Sequence, residues 1–187
     1  MSHTIPATDV ASVNYALKII HDARYNRRKL YCNEVRLGVV QKYGSNVHWL
    51  SDLERFLSDA ETKLFSYGSL QPGAQNAHML EGIAGQWMAG FVYGELSIQQ
   101  TGPAKGFYTL KPDYTKLKEK VYGKMFVAPG LSEHWKTLDD FEGRDYKRLL
   151  TLVYNMASEE IHIATIYAMS GIMHKAFGNA RLGNLYS

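Results

Sequence analysis

A single cysteine, Cys32, is the only thiol in this chain. It has no partner for an internal disulfide, and a lone thiol suits a reducing compartment better than an oxidising one. Its side chain reads as a small, half-buried apolar group. No stretch approaches the roughly 18 consecutive apolar residues of a membrane span. The opening Met1-Ser2-His3-Thr4-Ile5-Pro6 has neither the basic region nor the apolar run of a secretion signal, so a cytoplasmic location is expected. Charge of one sign is also scarce. The net charge is only +3, with 45% apolar and 21% charged residues, which excludes an extended disordered chain and supplies enough apolar surface for a core. At roughly 150 residues per domain, 187 residues make one domain with a modest surplus.

Several chemistries are missing as well. The seven histidines show no ligand-like spacing and have no cysteine partners, so no metal is expected. The loop Gly68-Ser69-Leu70-Gln71-Pro72-Gly73 lacks the Gly-Lys-Ser/Thr ending of a phosphate-cradling P-loop. Ser69 lacks the second glycine of a hydrolase nucleophile elbow.

The small net charge hides an asymmetry. Lys18, Arg24, Arg27, Arg28, Lys29, Arg36 and Lys42 face only Asp22 and Glu34 within one segment. Such a cluster can meet phosphates or an acidic partner, although a solvated helix face explains it more simply. The overall charge argues against nucleic acid as the main partner.

The first sixty residues read as helical. Val10, Val13, Leu17 and Ile20 share one helix face, with Asp9 placed to cap it. A weaker segment follows from Leu30 to Val40. Ser51-Asp52-Leu53-Glu54 has the form of a capping box, opening a helix whose apolar stripe is Leu53, Phe56, Leu57 and Ala60. From Leu64 the pattern changes to short aromatic and β-branched runs separated by Gly and Pro. Strands are expected at Leu64–Tyr67, Gln86–Leu96, Lys120–Val127, Tyr146–Met156 and Ile161–Met169, the last two as a hairpin around Ala157-Ser158-Glu159. Leu131, Trp135 and Leu138 mark one helix between the third and fourth strands. The class is α+β. Gly171–Ser187 carries little periodicity and reads as a tail.

Among the acidic residues, Asp139, Asp140 and Glu142 stand together. Asp139 and Glu142 can share a helix face, whereas Asp140 points elsewhere. Glu142 sits between Phe141 and Gly143, directly after the apolar stripe, where a carboxylate can be partly buried. Burial raises a carboxyl pKa and makes the ionised form a better proton acceptor near neutrality.

Two segments carry a family resemblance. Leu64-Phe65-Ser66-Tyr67-Gly68-Ser69-Leu70 with Gly73 resembles the opening strand and Tyr-Gly-Ser/Thr-Leu loop of the gamma-glutamylcyclotransferase-like superfamily, which includes gamma-glutamylamine cyclotransferases and avirulence-induced plant proteins. Leu138-Asp139-Asp140-Phe141-Glu142-Gly143-Arg144-Asp145-Tyr146-Lys147-Arg148 is similar to that superfamily's Leu-Asp-x-Phe-Glu-Gly-x-x-Tyr-x-Arg signature. Val121–Phe126 and Ala164–Ala168 fit between and after them. The resemblance implies a small closed mixed β-barrel with flanking helices. It implies an enzyme that converts a small gamma-glutamyl amine or peptide to 5-oxoproline and a free amine, without a cofactor. Glu142 would be the general base, and Tyr67, Gly68, Ser69 and Leu70 would bind substrate through backbone N–H groups. Tyr146 and Arg148 match the signature but have structural uses beside the junction.

On this reading residues 1–60 form a helical N-terminal extension, 61–170 the barrel domain and 171–187 a C-terminal tail. The extension has no counterpart in the resemblance. Covering the pocket, forming a homodimer through these helices and binding a partner all stay open for it. An alternative reading keeps the pocket without catalysis, as a binding or regulatory module whose basic helices contact nucleic acid or a protein. Gln71-Pro72-Gly73 stands where basic residues often follow the loop, which leaves the substrate open. Tyr43-Gly44-Ser45-Asn46 repeats the Tyr-Gly-Ser motif but follows no good strand and reads as a turn.

Overall fold

Short strand β1 (Lys63–Ser66) is buried along its whole length and lies in the middle of the sheet. In the computed structural model, which describes residues 3–26, 28–98, 100, 105–106 and 108–169, it pairs antiparallel with β4 (Glu119–Val127) and parallel with β6 (Ile161–Met169). β6 pairs with β5 (Tyr146–Asn155), and β4 pairs with β2 (Gln86–Ile98) over nine residue pairs from Gln86 to Gly94. A final contact of β2 with β5, at Gly90 opposite Asn155 and Phe91 opposite Tyr154, closes the ring. The result is a five-stranded mixed barrel. β3 (Tyr108–Pro112) lies outside it, paired with the far end of β2.

Side-chain alternation divides the strands between two cores. Phe65, Val92, Val121, Met125, Leu149, Val153, Ala164 and Ile166 fill one apolar cluster. Leu150, Leu152, Ile161 and Ile163 turn the other way and pack against the N-terminal helices. Those helices are α1 (Val10–Tyr25), α2 (Cys32–Tyr43) and α3 (Leu53–Ala60). The expected α1 stripe, Val10, Val13, Leu17 and Ile20, is buried in that contact, each side chain removed from water contributing about 1.5–3 kcal/mol. The Ile5 N–H also donates to the Ile161 carbonyl at 2.7 Å, tying the chain's beginning to β6. A third cluster, including Leu64, Leu70, Phe126, Leu131, Trp135 and Leu138, holds α5 (Trp135–Glu142) against the barrel.

Local details depart from the sequence reading. Residues 48–52 form a 3-10 turn in which Ser51 Oγ donates to the His48 carbonyl at 2.9 Å, and Glu54 pairs with Arg36. Ser51 and Glu54 therefore form no capping box. The reciprocal glutamate is instead Glu34, which accepts the Tyr31 N–H at 2.9 Å at the start of α2. Asp9 precedes α1 without a side-chain cap bond; Ser12 Oγ donates back to its carbonyl. The segment expected at Leu30–Val40 is helix from Cys32 to Tyr43, and Gly44 ends it with φ +85°. β3 and the single-turn helix α4 (His78–Glu81) were not expected. The tail expected at Gly171–Ser187 lies outside the described residues, as does Arg27. Among the described residues no helix is long and apolar enough to cross a membrane.

Gly123 shows how tightly the barrel closes beside β1. A Cβ there would stand 2.3 Å from the Ser66 carbonyl oxygen and 2.7 Å from the Phe65 ring, and backbone cannot yield as a side-chain tip can. Gly123→Ala is expected to cost about 3 kcal/mol. In a chain of this size that lowers the melting temperature by roughly 6–12 °C, checked by calorimetry against Gly68→Ala, whose added methyl would meet nothing within 4 Å and should leave melting unchanged.

Candidate active site

β1 ends at Ser66, and the chain runs into a loop that opens a cavity of about 670 Å³ at that end of the barrel. Tyr67, Gly68, Ser69 and Leu70 line one part of it, and Phe141, Glu142, Asp145 and Tyr146, from the end of α5, the turn after it and the start of β5, line another. The two segments singled out in the sequence therefore share one concave space. Its volume falls within the roughly 300–1,000 Å³ of small-molecule sites.

The loop is held by short bonds to itself. Gln71 N–H donates to the Gly68 carbonyl at 3.3 Å, Asn76 N–H to the Ser69 carbonyl at 2.9 Å, and Asn76 Nδ2 to Ser69 Oγ at 2.9 Å. Gly73, at φ +81°, supplies the left-handed residue the reversal requires. Asn76 thus clamps Ser69 from both sides. The N–H groups of Gly68, Ser69 and Leu70 have no acceptor among the described residues. Tyr67 is fixed at its far end: its hydroxyl donates to the Tyr167 carbonyl at 2.9 Å and accepts the Leu110 N–H at 3.2 Å.

Glu142 is placed by the way α5 ends. The helix is anchored by Leu131, Trp135 and Leu138, all buried, and Trp135 Nε1 donates to the Glu61 carbonyl at 2.9 Å. Gly143 then takes φ +70°, with its N–H on the Asp139 carbonyl at 3.0 Å. Glu142 is left half-buried on the cavity wall at this reversal. The described lining contains no Lys, Arg or His, so the carboxylate loses water without gaining a cation. Desolvation alone pushes its pKa up to about 7.

Tyrosines make up much of the remaining wall. Tyr146 is pushed up to about 12 by burial, then by Glu142 and Asp145. Burial also raises Tyr67 and Tyr167 above the ordinary tyrosine range. All three therefore stay protonated, and each spends its proton inside the protein, Tyr146 on the Tyr108 carbonyl at 3.1 Å. Tyr167 donates its hydroxyl to Asp139 Oδ1 at 2.8 Å, and Arg148 Nε donates to the same oxygen at 2.8 Å. Asp139 is therefore engaged away from the cavity, and Asp140 is exposed and paired with Lys136 at 2.5 Å. Of the three neighbouring acids, Glu142 is the one on the cavity wall.

Sequence reasoning missed Tyr108, Tyr167 and Asn76, and set Tyr146 aside. Tyr108 opens a short strand that ends in a proline, and Asn76 reads as ordinary loop polarity. Tyr167 reaches the site because β6 runs parallel beside β1, a pairing that no local pattern announces. Among the described residues no group of three or more His, Cys, Asp or Glu side chains is arranged to hold a metal ion.

No protein-family model matches the chain, and no curated protein does. Solved structures do resemble it. An AIG2-like protein from Mus musculus is 19% identical, with a TM-score of 0.46, over 58% of this chain and 77% of that one. A yeast gamma-glutamyl cyclotransferase specific to glutathione is 13% identical, with a TM-score of 0.41, over 58% and 69%. YkqA from Bacillus subtilis is 25% identical, with a TM-score of 0.44, over 62% of this chain and 42% of that one.

The Glu142 environment has a consequence that needs no substrate. A carboxyl whose pKa is raised on folding binds protons more tightly in the native state, so its contribution is favourable at low pH and is lost as pH rises through about 7. Glu142→Gln removes that loss. The variant is expected to melt a few degrees above the parent at pH 8 and with it at pH 4, as read by thermal denaturation at both pH values.

Proposed function

We propose that this protein is an enzyme of the gamma-glutamyl cyclotransferase type, converting a small gamma-glutamyl amine or peptide to 5-oxoproline and a free amine. The observation that carries the reading is that a half-buried carboxylate with no cation beside it and a loop of unengaged N–H groups line the same cavity. The similarity in fold to a protein described as a gamma-glutamyl cyclotransferase agrees with this reading.

The chemistry follows from the groups present. Ionised Glu142 takes a proton from the substrate's α-ammonium, freeing the nitrogen lone pair. That nitrogen attacks the γ-carbonyl carbon of the same molecule, a C–N bond forms, and negative charge collects on the carbonyl oxygen. Donors already aimed at that position stabilise it most; Gly68, Ser69 and Leu70 provide them. Collapse breaks the original amide C–N bond, and the proton held by Glu142 passes to the leaving nitrogen. In all, two protons move from the α-nitrogen to the leaving amine, and the carboxylate is regenerated. Because nucleophile and electrophile belong to one molecule, holding the folded conformer can supply about 7–11 kcal/mol.

The lining offers no cation for the substrate's α-carboxylate among the described residues. Neutral donors such as the loop N–H groups must hold it, which makes binding depend on geometry more than on salt.

Purified protein incubated with a panel of gamma-glutamyl amines and peptides should release 5-oxoproline, measured by chromatography. Glu142→Gln should lower the rate by about 10²–10⁴-fold, and kcat/KM should rise with pH through about 7 as the base ionises. A variant as fast as the parent refutes the role given to Glu142. In the loop, Gly68→Ala should cut activity sharply while melting normally, since its methyl meets only open space. Ser69→Ala should be milder. Equal losses from the two would count against backbone binding.

A further inference from the structure

Charge at the end of α5 runs against the helix. Asp139, Asp140 and Glu142 put three carboxylates in its last turn, where the helix dipole favours cations. α5 is only eight residues long, too short to keep its shape without packing. Its buried apolar anchors stop at Leu138, and Phe141 is 42% exposed. Asp140 pairs with Lys136 of the same helix. Among the described residues, the side-chain bonds that tie this turn to the sheet all end on Asp139.

Those bonds come from a cross-strand pair. Arg148 of β5 stands directly opposite Tyr167 of β6. Both donate to the same oxygen, Asp139 Oδ1, Arg148 through Nε at 2.8 Å and Tyr167 through its hydroxyl at 2.8 Å. Each donor is fixed in turn. Arg148 lies 4.7 Å from the centre of the Trp135 ring, and a terminal nitrogen donates at 3.1 Å to Glu61, directly after α3. The Tyr167 carbonyl accepts the Tyr67 hydroxyl at 2.9 Å. Behind Arg148 lies a cleft of about 440 Å³ that Arg24 of α1 also lines. Arg24 donates to the Arg148 carbonyl at 3.4 Å and has Glu61 as its opposing charge.

We propose that Asp139 is a positioning residue for Glu142: gripped by Arg148 and Tyr167, it holds the last turn of α5 to the sheet and so keeps Glu142 on the cavity wall. The inference rests on the reading of Glu142 as the base. The Asp139 carbonyl also accepts the Gly143 N–H at 3.0 Å, so one residue fixes both the turn and the reversal after it. Asp139 is not part of the cavity lining and acts through position. Burial alone raises Glu142, with no share from the Asp139 charge. Removing that charge should therefore leave Glu142 as it is, whereas releasing the turn should hydrate it. The titratable groups facing Glu142 are Tyr67, Tyr146 and Tyr167, all protonated, and Asp145 in the lining.

The full chain is tested in two ways: carbon-13 NMR titration of the Glu142 carboxyl, which needs no substrate, and kcat and KM for 5-oxoproline release. Asp139→Asn keeps an acceptor for both donors; its Glu142 should titrate near the parent value and most of the activity should remain. Asp139→Ala removes the acceptor. Its Glu142 midpoint should fall toward the ordinary value of about 4.3, and kcat should fall about three- to thirtyfold with a smaller change in KM. Tyr167→Phe removes one donor of the two and should move the midpoint the same way by less, which gives the answer if Asp139→Ala does not fold. Equal shifts in Asp139→Asn and Asp139→Ala would assign the effect to charge, and an unchanged midpoint in folded Asp139→Ala or in Tyr167→Phe would assign the placement of Glu142 to apolar packing; each overturns the proposal. A parent whose midpoint responds as described but which releases no 5-oxoproline supports the hold on Glu142 and refutes the cyclotransferase reading instead.

Discussion

A carboxylate that has lost water without gaining a cation is an unstable arrangement, and the cavity end of this molecule is organised around one. Glu142 is held there by forces that have nothing to do with its charge. Leu131, Trp135 and Leu138 anchor α5 in apolar contact, and Gly143 reverses the chain where the helix ends. Packing therefore imposes the desolvation, and desolvation sets the proton affinity. The same packing keeps Asp139 and Asp140 in other roles, although they lie on the same short helix.

The central place of β1 explains why two distant segments meet. A four-residue strand paired on both sides fixes where the following loop emerges, and its parallel partner β6 brings Tyr167 to the same end. Gly123 lets β4 come close enough for that pairing. The loop then needs little help from outside itself, because Asn76 closes it through both the backbone and the side chain of Ser69.

Much of this was legible in the letters. Period-2 and period-3.6 patterns gave five of the six strands and the buried face of α1, since each reports which side of an element must leave water. What the letters hid was long-range. Tyr108 and Tyr167 join the cavity through pairings whose registers depend on the whole barrel. The capping box at Ser51 failed because a 3-10 turn and Arg36 competed for the same groups. The N-terminal helices looked like a solvated basic extension, yet their apolar stripe shares a core with β5 and β6, and Arg24 reaches a cleft that local charge counting could not anticipate.

The account stands or falls on the proton affinity of one side chain. Carbon-13 NMR titration of the Glu142 side-chain carboxyl, assigned by comparison with Glu142→Gln, measures it directly. A midpoint near pH 7 is the predicted result; a midpoint near the ordinary glutamate value of about 4.3 would mean that the carboxylate is solvated, contradicting the site described for it.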